Sequence, residues 1–90
     1  DERTLNEFGY DFLYSDKPSY ALDFFKENTM RFPKSSNAWD SLGEAYVTYK
    51  DYENAIACYK KAVELGEQVN HRSLEIYKKN LKKVKQLSNE

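Results

Sequence analysis

The stretch Asn37–Gly66, NAWDSLGEAYVTYKDYENAIACYKKAVELG, decides how this chain is to be read. It runs as helix, break, helix, yet Gly43, one of only three glycines in the sequence, stands inside the first helix. A glycine there costs roughly 1 kcal/mol against alanine, so some close contact must offset it. Trp39, Leu42 and Tyr46 precede the break and Ala55 and Tyr59 follow it, all at helical spacing. Two antiparallel helices that bury these positions against each other would need a small residue where their backbones approach. On this reading Gly43 faces Ala55, with the aromatic side chains packed on either side.

Moving outward, a shift of 34 residues lays the preceding segment on this one. Leu5 falls on Trp39, Phe8 on Leu42, Gly9 on Gly43, Phe12 on Tyr46, Ala21 on Ala55 and Phe25 on Tyr59. Identities are limited to Gly9/Gly43, Ala21/Ala55 and Lys26/Lys60, but size and polarity match wherever a helix pair must bury a side chain. Gly9 should therefore face Ala21 as Gly43 faces Ala55. A further shift, of 35, maps Trp39, Leu42 and Tyr46 onto Leu74, Tyr77 and Leu81, with Val84 in phase. Gly43 maps onto Lys78, which no packed partner helix would tolerate, so this last segment reads as a cap ending the array.

Local signals place five helices. Thr4 and Glu7 form a capping box for the first. Pro18 opens the second at its first turn, and Pro33 ends it near Phe32. Serines in KSSN cap a third, Asn37 to about Tyr49, and Asp51 caps a fourth, Tyr52 to about Leu65. Gly66 stands where a left-handed C-terminal residue is wanted. The fifth runs from about His71 to Leu87.

The motif Trp39-x-x-Leu42-Gly43-x-x-Tyr46, followed by Ala55-x-x-x-Tyr59, resembles the tetratricopeptide repeat signature, with tyrosine for the usual phenylalanine. Pro33 stands at the repeat-ending proline, and Glu67 holds that place in the second repeat, which leaves the last connection without its usual stop. The resemblance covers about residues 2–69. It implies an all-α fold, a right-handed α-solenoid forming one domain over residues 1–90. The units are residues 2–35 and 36–69 as two helix-turn-helix repeats and 70–90 as a C-terminal capping helix.

Composition agrees with a small folded unit. The sequence is 16% aromatic and 32% charged, and that aromatic content separates it from disordered chains. No apolar run approaches the ~20 residues of a membrane span, and no signal-peptide pattern opens the chain. A start at Asp1 is expected of a processed or excised segment. Residues 1–69 carry 13 acids and 8 bases, whereas residues 70–90 carry two acids and six bases.

Catalytic signals are absent from the sequence. His71 is the single histidine, no metal-ligand spacing occurs, and no glycine-rich phosphate loop or G-x-S-x-G elbow is present. Cys58, on a packed helical face, reads as a buried inert thiol. Lys78, Lys79, Lys82, Lys83 and Lys85 read as the solvated face of the cap, because no aromatic platform for nucleic-acid bases is interleaved with them. No catalytic residue, cofactor or metal site is expected, and neither nucleic acid nor membrane is an expected partner.

The resemblance also implies a groove, lined by first-helix positions left over from pairing. By position these are Arg3, Asn6, Tyr10, Leu13 and Tyr14, then Asn37, Asp40, Ser41, Glu44 and Thr48. The cap adds His71, Leu74, Glu75 and Lys78. Relatives that grip a peptide carboxylate place lysine and asparagine where this chain has Asn6 and Tyr10, so that clamp is missing. Asp40 and Glu44 share one helix face, and neither has a basic residue four positions away, so a basic or amide-rich segment is the expected ligand. The partner is a protein or peptide, or the remainder of a parent polypeptide, and an oligomer is open.

The wording Thr4–Leu13, TLNEFGYDFL, and Tyr20–Tyr46 is similar to short tetratricopeptide tails at the C-terminus of bacterial serine hydrolases. Those parents are esterase-like α/β hydrolases or β-lactamase-like enzymes. That resemblance implies an appendage supporting a catalytic domain or its oligomerisation, with the catalytic serine elsewhere.

Overall fold

The computed structural model describes residues 2–13 and 18–89. They form five helices: α1 (Glu2–Leu13), α2 (Pro18–Arg31), α3 (Ser36–Thr48), α4 (Tyr52–Val69) and α5 (Leu74–Ser88). No strand occurs among the described residues. None of these helices is long and apolar enough to cross a membrane. α1 packs on α2, α3 on α4 and α4 on α5, while α3 also touches α2 and, more lightly, α1. The Cα atoms span 34 × 32 × 17 Å, a slab about two helices thick. α1, α3 and α5 line one face of it.

The helix ends follow from side-chain and backbone chemistry. Ser35 is the N-cap of α3, its hydroxyl oxygen accepting from the Ala38 N–H at 3.2 Å. The Ser35 hydroxyl also bonds the Glu2 carboxylate, tying the start of α1 to the start of α3. Asp51 caps α4 by accepting from the Asn54 N–H at 3.3 Å. Between these helices Lys50 adopts φ 60°, and the N–H groups of Lys50 and Asp51 reach back to the carbonyls of Val47 and Tyr46 at 2.8 and 2.9 Å. These paired bonds close α3 in a left-handed Schellman turn.

Three boundaries differ from the sequence reading. α1 begins at Glu2, so Thr4 lies inside the helix rather than capping it. α4 runs past Gly66 to Val69, because Glu67 stands where proline ends α2 and nothing removes the backbone donor. The left-handed residue is Asn70, φ 50°, with His71 N–H bonding the Gly66 carbonyl at 2.8 Å. His71 therefore sits in the connecting turn, and α5 begins at Leu74.

The core reorders the expected glycine contacts. Cβ atoms built on Gly9 and Gly43 would meet ring carbons of Phe25 and Tyr59 at 2.5 and 2.8 Å, so the glycines face aromatic rings instead of Ala21 and Ala55. The two alanines are fully buried nonetheless. One cluster gathers Ala21, Phe25, Leu42, Ala45 and Cys58. A second gathers Ala55, Tyr59 and Val84, and Tyr46 packs against both. Tyr77 and Val84 are 2% and 1% exposed, so α5 covers the second helix pair as a cap should.

Candidate functional site

The face made by α1, α3 and α5 has two seams of different character. Where α1 meets α3, the Tyr10 hydroxyl lies 2.7 Å from Glu44 Oε2 and 3.1 Å from Ser41 Oγ. One hydroxyl proton cannot serve both; the carboxylate takes it, and Ser41 is left to donate to the tyrosine oxygen. The Tyr10 ring meets Phe25 edge-on, centroids 5.0 Å apart. Burial raises the Tyr10 pKa well above the ordinary phenol range, and the Glu44 charge adds to it. This seam is closed.

Between α3 and α5 the helices stand apart, held by two polar ties. Asn80 Nδ2 donates to Asp40 Oδ1 at 3.0 Å, and the Ser36 hydroxyl reaches the Tyr77 hydroxyl at 3.4 Å. Burial raises the Asp40 pKa above its usual value; the Asn80 hydrogen bond opposes that shift and the neighbouring Glu44 charge reinforces it. Beyond the Asp40–Asn80 tie the seam opens into a groove of about 430 Å³. Val47, Tyr59, Val84 and Leu87 supply its apolar lining, and Glu44, Thr48, Asn80 and Lys83 its polar one. That is the size and the mixture of surfaces expected of a binding cleft.

The positions named from sequence thus divide. Glu44 and Thr48 line the groove, the Thr48 hydroxyl donating to the Glu44 carbonyl at 3.1 Å. Tyr10, Ser41 and Asp40 are spent on holding the helices together. Asn6 has a buried Oδ1 with no hydrogen-bond partner. Arg3 is exposed and pairs with Glu7 at 3.3 Å, and Asn37 is exposed. The Leu13 side chain and Tyr14 lie outside the described residues. In the cap, His71 Nδ1 accepts from the Ser73 N–H at 3.0 Å and its ring leans on Tyr77, 5.6 Å away. Leu74 packs toward Gly66, and Glu75 pairs with Lys78 at 3.6 Å.

Sequence reasoning missed Val47, Asn80, Lys83 and Leu87. It treated Lys83 as outer surface, whereas this lysine borders the groove. The signal was there: Asn80 is the one amide in the run KKNLKKVK, and Asn80, Lys83 and Leu87 share one helical stripe. The expectation of a basic ligand rested on two acids without partners, and both have a neutral internal donor. Cys58 is buried, its thiol pushed up to about 12 chiefly by burial, with the Asp51 charge adding. Among the described residues no group of three or more His, Cys, Asp or Glu could hold a metal ion.

Comparison with known proteins matches residues 36–68, which span α3 and α4 as far as Gln68, to the tetratricopeptide repeat family model. No curated protein and no solved structure gives a match. With five helices in sequence-adjacent pairs, the fold is an all-α solenoid of tetratricopeptide type.

Proposed function

We propose that this chain, whose α3–α4 pair is a tetratricopeptide repeat, is a non-catalytic interaction module that binds a segment of another protein in the α3/α5 groove. Tetratricopeptide repeats generally mediate protein–protein interaction and are generally without catalysis. The observation that carries the reading here is the open seam itself. α3 is hydrogen-bonded shut against α1, yet the next seam keeps about 430 Å³ over an apolar floor. In this reading residues 2–35 and 36–69 are the two repeats and residues 70–90 the cap that forms the groove's far wall. Of the positions inferred from sequence, Glu44 and Thr48 meet the ligand, while Tyr10, Asp40 and Ser41 set the helix spacing that keeps the groove open.

A displayed random-peptide library selected on the 90-residue chain tests this, with binders mapped by amide chemical shifts. Binders should shift Val47, Thr48, Lys83, Val84 and Leu87, and Thr48→Trp, which plugs the groove, should abolish binding. Binders that map to α2 and the outer side of α4 would overturn it.

The finer reading, an appendage of a serine hydrolase, rests on the wording of residues 4–13 and 20–46. In that case the groove's ligand is the catalytic domain of the same polypeptide. Titrating the chain with that domain, wild type beside Thr48→Trp, tests it; equal affinities would exclude the groove.

A further inference from the structure

We infer that the α3/α5 groove selects an acidic segment bearing apolar anchors, a deepening that rests on the proposed interaction role. Both acids on the α3 side already accept neutral internal donors, Glu44 from Tyr10 at 2.7 Å and Asp40 from Asn80 at 3.0 Å. Neither is left as a bare anion awaiting a cation. The α5 side is the reverse. Lys83 borders the groove, Lys79 lies one turn before it, and both are exposed. Among the described residues neither forms an ion pair, because Glu75, the one acid on α5, is taken by Lys78 at 3.6 Å. The unspent charge beside the groove is therefore positive.

The apolar surface continues beyond the groove. Ile76, 57% exposed, precedes Asn80, Lys83 and Leu87 by four, seven and eleven residues, so all four occupy one stripe of α5. At the helical rise, Ile76 and Leu87 stand about 16 Å apart along the axis, on opposite sides of the Asp40–Asn80 tie. A ligand that seats one apolar side chain on the Val47, Tyr59, Val84 and Leu87 floor and a second on Ile76 would carry its intervening residues past Lys79 and Lys83. Carboxylates there gain both attraction and orientation, while lysines would meet like charge with no free acid in return. A nucleic acid would satisfy the lysines and leave the apolar floor unfilled, so the chemistry is that of an acidic peptide.

The test uses the 90-residue chain and two matched series of blocked peptides of about twelve residues. Leucine or phenylalanine anchors are spaced three to eleven residues apart, with glutamate between them in one series and lysine in the other. Amide shifts report the site and calorimetry the affinity. The best glutamate peptide should bind in the groove at least about tenfold tighter than its lysine counterpart near 50 mM salt, and the gap should narrow near 0.5 M. Lys79→Glu with Lys83→Glu, both exposed positions, should reverse the preference while circular dichroism stays unchanged. Equal or tighter binding of the lysine series in the groove overturns the acidic preference and leaves the interaction role standing. Failure of both series to reach the groove likewise overturns the inference, whereas the interaction role falls only if library binders also avoid it. Concentration-dependent self-association that the double charge reversal abolishes would overturn it too, assigning the groove to a second copy of the chain.

Discussion

Gly43 leaves its missing side chain to the ring of Tyr59: a Cβ there would stand 2.8 Å from Tyr59 Cε1, and 34 residues earlier Gly9 stands likewise to Phe25. The pair recurs because each first helix must let an aromatic ring of its partner lie flat on its backbone. Gly66 differs, since its Cβ would meet Leu74 at 3.2 Å and Tyr77 at 3.3 Å, which small adjustments can accommodate. Gly43→Ala should therefore lower stability despite better helix propensity, and Gly43→Leu should lower it by about 1–3 kcal/mol or more. Gly66→Ala should be far milder. Urea unfolding of the three variants checks the order, and a Gly43→Leu chain as stable as wild type would refute the ring contact.

Asn28 is fully buried, and neither its Oδ1 nor its Nδ2 has a hydrogen-bond partner. The position 34 residues later is Ala62, also fully buried. An unsatisfied buried amide costs about 1–3 kcal/mol, more than the packing lost with it. Asn28→Ala should raise the melting midpoint by several degrees, since about 1 kcal/mol moves a chain of this size by roughly 4–8 °C. A lower midpoint in calorimetry would mean that the amide is satisfied in solution.

Removing residues 70–90 should cost the chain its cooperative melting or drive it to associate. The truncation uncovers the cluster of Ala55 and Tyr59 that Val84 and Leu81 close, and it leaves two helix pairs where about three are usually needed. Sedimentation and thermal melts of the 1–69 chain decide this; a monomer with an unchanged midpoint would show that the cap stabilises nothing.

Asp40 supplies a pH test with a definite sign. Burial lifts its pKa in the fold above 3.8, so between those values the native state holds a proton that the unfolded chain releases. Its contribution is fully present below about pH 3.8 and is lost as pH rises through the raised folded value. Asp40→Asn keeps an oxygen for Asn80 and removes the buried charge. The variant should exceed wild type in stability at neutral pH, with the advantage fading toward pH 4. Denaturant midpoints across pH 3.5–7.5 measure it, and a constant difference would exclude Asp40 as the titrating group.

What the sequence by itself determined was everything periodic. The helix pairs, the 34-residue register and the cap positions Tyr77 and Val84 are set by the spacing of apolar residues, which any helix must bury on one face. Ser35, Pro33 and Asp51 mark helix ends through bonds or steric conflicts within a few residues, so those too were legible. Thr4 and Gly66 misled because each offered a plausible local stop that the surrounding chain did not need. Only the tertiary structure decided how helices meet side by side. That the glycines face rings, that Asp40 and Glu44 are spent on Asn80 and Tyr10, and that the α3/α5 seam stays open all depend on contacts between residues 16 to 40 positions apart. No local spacing encodes such distances. They follow from how closely three helices of one layer approach after their large side chains are packed.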